Sequence, residues 1–227
     1  MRTIQNASPV RLSIGRGAIG PFILFGGLFA LVSARAGLPV ATAAAFGGVG
    51  GTISLLVHEL GHVRAASRHT SIRPVRISLN WLGAATRFEG GYASGREQAR
   101  VAIAGPAASL GLATLLALSL YVLPDSFELK SLVIMLAMLN VGIAGLNLIP
   151  ANPLDGYKLL TGLLWSLLGS ERAARRLTSR LTVALMIFEL AGAALLTLEK
   201  PILGETAMIL AATILGQKLV VARSRAR

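Results

Sequence analysis

Two of the three histidines stand four residues apart, in His58-Glu59-Leu60-Gly61-His62. On an α-helix, residues i and i+4 share a face, so both imidazoles can reach one metal ion. Glu59 lies next to the first imidazole, where it can take a proton from a water at the metal without being a ligand. Zinc lowers the pKa of such a water toward about 7, so the pattern points to hydrolysis. The third histidine, His69, stands in an arginine-rich stretch and reads as a solvated loop residue. The chain has no cysteine, which excludes a disulfide framework and a thiolate metal site.

A catalytic zinc site uses three protein ligands and keeps one position for water. The candidates for the third are few, because the chain has only two aspartates, Asp125 and Asp155. Asp155 closes Asn147-Leu148-Ile149-Pro150-Ala151-Asn152-Pro153-Leu154-Asp155-Gly156. Its two prolines interrupt a helix and free backbone groups. Inside a membrane such irregular backbone is tolerated only within protein or beside a wet cavity. The same residues also suit an ordinary helix-ending turn. Glu189 is the rival ligand, placed in a later apolar segment where it could instead pair with a polar group between helices.

The elements that must position these groups are membrane spans. Of 227 residues, 54% are hydrophobic and 14% charged, and mean hydropathy is +0.68. That excludes disorder and fits poorly with a soluble globule, whose polar residues must cover its outside. Residues 17–34, 36–57, 101–124 and 131–154 carry no charge, and each is near or above the roughly 20 residues a spanning helix needs. Residues 181–198 and 201–222 are less pure. The expected fold is an all-α polytopic membrane protein of about six transmembrane helices, at 18–34, 39–63, 101–123, 131–150, 181–198 and 202–221. The first run ends in Ser33-Ala34-Arg35-Ala36, loosely like a signal-peptide cleavage site, but the even span count reads it as a span.

Basic residues sort against this map. With the N-terminus in the cytoplasm, nineteen of the 22 Lys and Arg fall on the cytoplasmic side, and only Arg35, Lys130 and Lys200 fall opposite. This is the positive-inside pattern. It places both termini in the cytoplasm and His58, His62 and Asp155 toward that face. It also accounts for the net charge of +12 without nucleic acid. Between the second and third spans, Ile77-Ser78-Leu79-Asn80-Trp81 alternates apolar and polar residues, Gly83 follows, and Thr86-Arg87-Phe88-Glu89 resumes. This reads as a small β-hairpin at the membrane surface. It is either an ordinary hairpin anchored by Trp81 in lipid or an edge to which an extended peptide can add.

His-Glu-x-x-His in an early span with Asn-x-x-Pro-x-x-Pro-Leu-Asp-Gly in a later one resembles the site-2 protease family of intramembrane zinc metalloproteases. Ala104-Gly105-Pro106 is similar to the small-residue motif that opens the family's next core helix. The resemblance covers about residues 45–165. It implies one zinc per chain held by His58, His62 and Asp155, with Glu59 as catalytic base. It further implies that Asn147 hydrogen-bonds substrate backbone or the developing oxyanion. It makes residues 1–227 a single transmembrane protease domain of a prokaryotic cell membrane, acting on a membrane-anchored, regulatory protein. The length leaves no room for the PDZ or CBS modules of some relatives, and nothing in the sequence gives an oligomeric state. A zinc carrier could use the same ligands, but the chain lacks a series of intramembrane His or Asp groups for a relay. An inactive helix-binding homologue would not require Glu59.

The orientation is open to test in a chain that has no cysteine of its own. Single cysteines placed at 64–76 and at 170–178 should react with an impermeant thiol reagent only from the cytoplasmic side. One beside Asp125 should react only from outside, and the opposite pattern would invert the topology.

Overall fold

The computed structural model describes residues 10–81 and 83–199, without the side chains of 14, 16, 189, 190 and 192–199. The order of elements is β1 (Arg11–Ile14), a short 3-10 turn, α1 (Ile19–Ala36), α2 (Val40–Ala66), β2 (Ile72–Asn80) and β3 (Gly83–Gly90). Four helices follow: α3 (Gly95–Ser119), α4 (Phe127–Leu148), α5 (Asp155–Leu168) and α6 (Glu171–Glu199). The chain forms two compact units. Among the described residues, the first holds those up to 93 and 100–147, and the second holds 94–99 and 148–199.

Four helices, α1 to α4, are long and apolar enough to cross a membrane. They match the first four expected spans within a few residues. The protein is an integral membrane protein. The expected fifth span lies inside α6, which begins ten residues earlier than the sequence reading placed it and carries Arg172, Arg175, Arg176 and Arg180 in its first turns. The expected sixth, 202–221, lies outside the described residues. The stretch read as a connection also contains α5, a 14-residue helix. It is too short and too amphipathic to stand out as a span.

In the first unit α1 and α2 form a hairpin. Gly37 takes a left-handed conformation (φ 69°) and its N–H bonds to Ser33 O, a glycine cap that ends α1. Pro39 then precedes α2 in extended conformation. The two helices pack through glycines. A Cβ on Gly47 would stand 2.5 Å from Cβ of Phe29, and one on Gly51 would stand 2.6 Å from Cβ of Phe25. Both aromatics are buried. Lipid gives no hydrophobic drive for helices to associate, so close backbone approach and dispersion take its place. Phe29 and Ala43 continue into a core with Leu132 and Leu136 of α4. Asn140 of α4 is fully buried and donates from Nδ2 to Ser54 Oγ of α2 at 2.9 Å, a polar tie between helices.

The sheet has three strands in the order β1-β2-β3, with β1 parallel and β2–β3 an antiparallel hairpin. The hairpin was expected; β1 was not. Four residues are too few to show a period, and a parallel pairing across some sixty residues leaves no local signal. In β2, Ile72, Pro74, Ile77 and Leu79 are buried and Arg73, Arg76 and Asn80 exposed. The phase shifts at a bulge between Pro74 and Arg76, where a proline is tolerated. The hairpin tip meets α1: a Cβ on Gly20 would collide with the backbone of Trp81.

In the second unit α5 packs on the start of α3 and on α6. A Cβ on Gly162 would stand 2.7 Å from Ala99 N. Thr161 donates to Thr178 Oγ1 at 3.1 Å, and Thr182 donates to Pro150 O at 2.6 Å. The turn before α5 closes through Ala151 N to Ile149 O at 2.7 Å and Leu154 N to Ala151 O at 2.8 Å. The backbone freed by the two prolines is therefore largely paired within this unit. The Asn152–Pro153 peptide is cis.

The glycine contacts predict a specific sensitivity. Gly47→Ala forces a methyl into Phe29, and overpacking of this kind costs about 1–3 kcal/mol. Thermal unfolding in detergent should show a lowered midpoint. Gly27→Ala, where a Cβ meets nothing within 4 Å, should not change it.

Candidate metal centre

His58, Glu59 and His62 lie on α2 and are all buried. The two imidazoles stand edge to face with ring centres 5.0 Å apart, as the four-residue spacing requires. Each is tethered by its inner nitrogen. His62 Nδ1 lies 2.7 Å from the carbonyl of Val101 on α3. A carbonyl can only accept, so Nδ1 carries the hydrogen and Nε2 presents a lone pair. His58 Nδ1 lies 3.0 Å from Ser109 Oγ. The same tautomer follows when that nitrogen donates to the hydroxyl. Such outer partners fix ring orientation in metal sites and raise the basicity of the ligand.

The outer nitrogens converge over Gly105. A Cβ at that position would stand 2.7 Å from His58 Nε2 and closer still to His62 Nε2. The helix therefore leaves, at this residue, the space in which two nitrogen donors aim. Gly61 makes the approach possible, since a Cβ there would press on Ala104 O and stand 2.8 Å from Ala108 Cβ. This gives the Ala104-Gly105-Pro106 stretch a physical reason. Pro106 sits inside α3 without ending it, as helices in membranes permit.

Glu59 is engaged by the sheet. Thr86 of β3 donates its hydroxyl to Glu59 Oε2 at 2.5 Å. The base candidate thus shares its pocket with the sheet. Thr86, Ser109 and the Val101 carbonyl were not singled out in the sequence. A lone Thr, a lone Ser and a main-chain oxygen give no pattern until the helices are docked.

The remaining candidates are placed as follows. Asn147 is half-buried near the end of α4 and donates from Nδ2 to Ile143 O at 2.9 Å, one turn back in its own helix. Asp155 belongs to the second unit. It is the first residue of α5 and is buried, where a carboxylate gains from the helix dipole. Lys158 donates to its Oδ1 at 3.0 Å, and Gln98 Nε2 holds the Lys158 carbonyl at 2.8 Å. Asp125 is exposed in the loop before α4, where Lys130 holds its carboxyl below the usual carboxylate range by hydrogen bond and charge. The side chain of Glu189 lies outside the described residues.

The two buried imidazoles of the first unit, whose outer nitrogens converge over Gly105, are donors that suit zinc. Comparisons agree with that chemistry. Residues 124–189 match the model of peptidase family M50. That stretch includes Asp155 but not the histidine pair. A Synechocystis protein named as a candidate zinc metalloprotease, sll0528, is 32% identical over 127 residues, which are 56% of this chain and 33% of that one. The candidate zinc metalloprotease Rip3 of Mycobacterium tuberculosis is 34% identical over 125 residues, 52% of this chain and 32% of its own. The match thus spans about a third of the length of these curated relatives. The solved site-2 protease from Methanocaldococcus jannaschii shares the fold, with a TM-score of 0.56 at 21% identity, covering 89% of this chain and 88% of that one. Zinc is the metal named for the two curated relatives, and it is one that buried imidazoles suit.

The tethers and the cradle generate one prediction. Ser109→Ala should weaken zinc affinity about 10–100-fold, the usual cost of losing an outer partner. Gly105→Ala should remove zinc altogether by filling the cradle. Metal analysis of purified protein, with helix content followed by circular dichroism, checks both. Full zinc content in Gly105→Ala would contradict the convergence of the two Nε2 atoms.

Proposed function

We propose that this chain, whose residues 124–189 match peptidase family M50, is an intramembrane zinc endopeptidase of the site-2 protease kind. Its substrate is a membrane-anchored regulatory protein, cut in or near a transmembrane segment. The observation that carries this reading is the buried pair of imidazoles with converging Nε2 atoms and a carboxylate beside them that is turned toward the sheet. A transit site needs ligands only; a peptidase also needs a base at that position.

In this reading His58, His62 and Asp155 hold one zinc. Asp155 is supported by its burial, its place at a helix start and the lysine that fixes its carboxylate. Zinc, when bound, supplies Lewis acidity that polarises the scissile carbonyl and acidifies water. Glu59 takes the proton of the attacking water and later delivers it to the leaving amine. Thr86 holds Glu59 to one orientation through Oε2 and leaves Oε1 to carry the proton. Asn147 gives up its bond to Ile143 O and turns its amide to the developing oxyanion. The substrate must unwind to expose a peptide bond, so glycine, proline or asparagine in its helix favours cleavage. Both termini lie in the cytoplasm of a prokaryotic cell and the site opens toward that side, as the charge distribution supports.

Substitution of the base separates this reading from a zinc carrier. Glu59→Gln should leave zinc content nearly unchanged and lower peptide cleavage by several orders of magnitude, since the base alone contributes about 10²–10⁴. Asn147→Ala should also retain zinc and lose about 10²–10³ in turnover. The assay uses detergent-solubilised protein and a helix-destabilised transmembrane peptide, with and without chelator. No chelator-sensitive product from several such peptides would end the peptidase reading.

A further inference from the structure

Three arginines line up across the outer face of the sheet. Arg11 of β1 stands opposite Arg76 of β2, and Arg76 stands opposite Arg87 of β3. Residues directly opposite in a ladder share a face, so three guanidinium groups lie side by side, and all three residues are exposed. Like charges placed this way are destabilising. Glu89, the acid nearest in the ladder, is engaged by Arg73 at 3.2 Å. No acidic side chain among the described residues pairs with Arg11, Arg76 or Arg87.

The row runs out to an edge. β3 is the last strand, and its second edge carries no strand among the described residues. Side chains alternate between faces along a strand. Thr86 therefore points to the face opposite Arg87, and there it meets Glu59. A peptide laid in extended form along this edge would alternate in the same way. The residue opposite Thr86 would face the side of Glu59, and its neighbour opposite Arg87 would face the arginine row.

We propose that Arg87, reinforced by Arg76 and Arg11, is a specificity determinant that selects a carboxylate side chain on the substrate, next to the residue that faces Glu59. The inference rests on the peptidase reading and narrows its substrate to extended segments carrying Asp or Glu at that place. Anionic lipid headgroups also carry negative charge. The peptide is favoured because the row ends at an open edge, one residue from the contact with the base.

The test uses a membrane-spanning oligoleucine peptide with a Gly-Pro break, in neutral phosphatidylcholine bicelles with zinc-loaded full-length protein. Its cleavage site is first mapped by mass spectrometry. Glu, Gln or Lys is then placed singly at each of about six residues around the bond. Two quantities are read: kcat/KM with the native protein, and peptide binding to the Glu59→Gln variant by fluorescence anisotropy. Glu should be favoured over Gln by about two- to fivefold at alternate positions in both, the range for one cross-strand charge pair. Lys should be disfavoured there. Arg87→Glu should invert the preference, Arg87→Lys should keep it, and 1 M salt should flatten it. Arg87→Lys against Arg76→Gln still decides the matter if Arg87→Glu does not fold. A preference without two-residue alternation, or one indifferent to Arg87, overturns the inference. So does an effect of Arg87→Glu that follows the anionic lipid content of the bicelle and not the charge of the peptide. If the native protein cleaves none of the peptides, both readings fall together. If it cleaves them without regard to charge, only the specificity inference falls.

Discussion

Two nitrogen lone pairs must point at one place, inside a protein that lies in a membrane. Everything near the centre follows from that requirement. A histidine ring can rotate and can carry its hydrogen on either nitrogen, so spacing on a helix is not enough. Here the Val101 carbonyl and the Ser109 hydroxyl, both on α3, take the inner nitrogens of His62 and His58. The outer nitrogens are thereby left basic and aimed. α3 can serve both rings only if it passes very close to α2, and Gly61 and Gly105 are where the two helices concede that space. Replacing either glycine would alter the geometry of the imidazole pair without touching either histidine.

The same economy of side chains recurs in the α1–α2 hairpin, for a different reason. Lipid is as apolar as the helix surfaces, so burial alone does not hold spans together. Phe25 and Phe29 fill the grooves left by Gly51 and Gly47, and a buried Asn140–Ser54 hydrogen bond ties α4 to α2. Many large apolar residues, such as Leu28, Leu31 and Ile53, remain exposed on these helices. In water that surface would be a liability; in a bilayer it is the expected exterior.

How much of this was legible in the sequence depended on the reach of each signal. Charge-free runs marked α1 to α4 because a span is a local property of about twenty residues. The shared face of His58 and His62 was legible because a four-residue spacing is about one turn of helix. The hairpin showed in the alternation of Ile77 to Trp81. Hidden were β1, whose pairing is distant and short, and α5, whose 14 residues are too few and too amphipathic to stand out as a span. The start of α6 was obscured by its arginines, which read as a loop in a search for apolar runs. Thr86 and Ser109 were invisible in principle. Their roles arise from which strand and which helix come to lie beside α2, and no local rule fixes that.

The contact from Thr86 to Glu59 joins two parts of the molecule that the sequence presents separately. A membrane helix alone could offer the two imidazoles and the carboxylate, but it could not restrain the carboxylate against rotation. A soluble hairpin alone could offer an edge, but no chemistry. By docking β3 on α2 through a 2.5 Å hydrogen bond, the fold fixes the Glu59 carboxylate and the strand edge in one frame. The alternation of that strand then assigns its neighbours: Thr86 to the pocket, Arg87 to the opposite face. Proton transfer loses efficiency steeply with misplaced geometry. On the proposed reading the sheet is therefore part of what positions Glu59 for proton transfer.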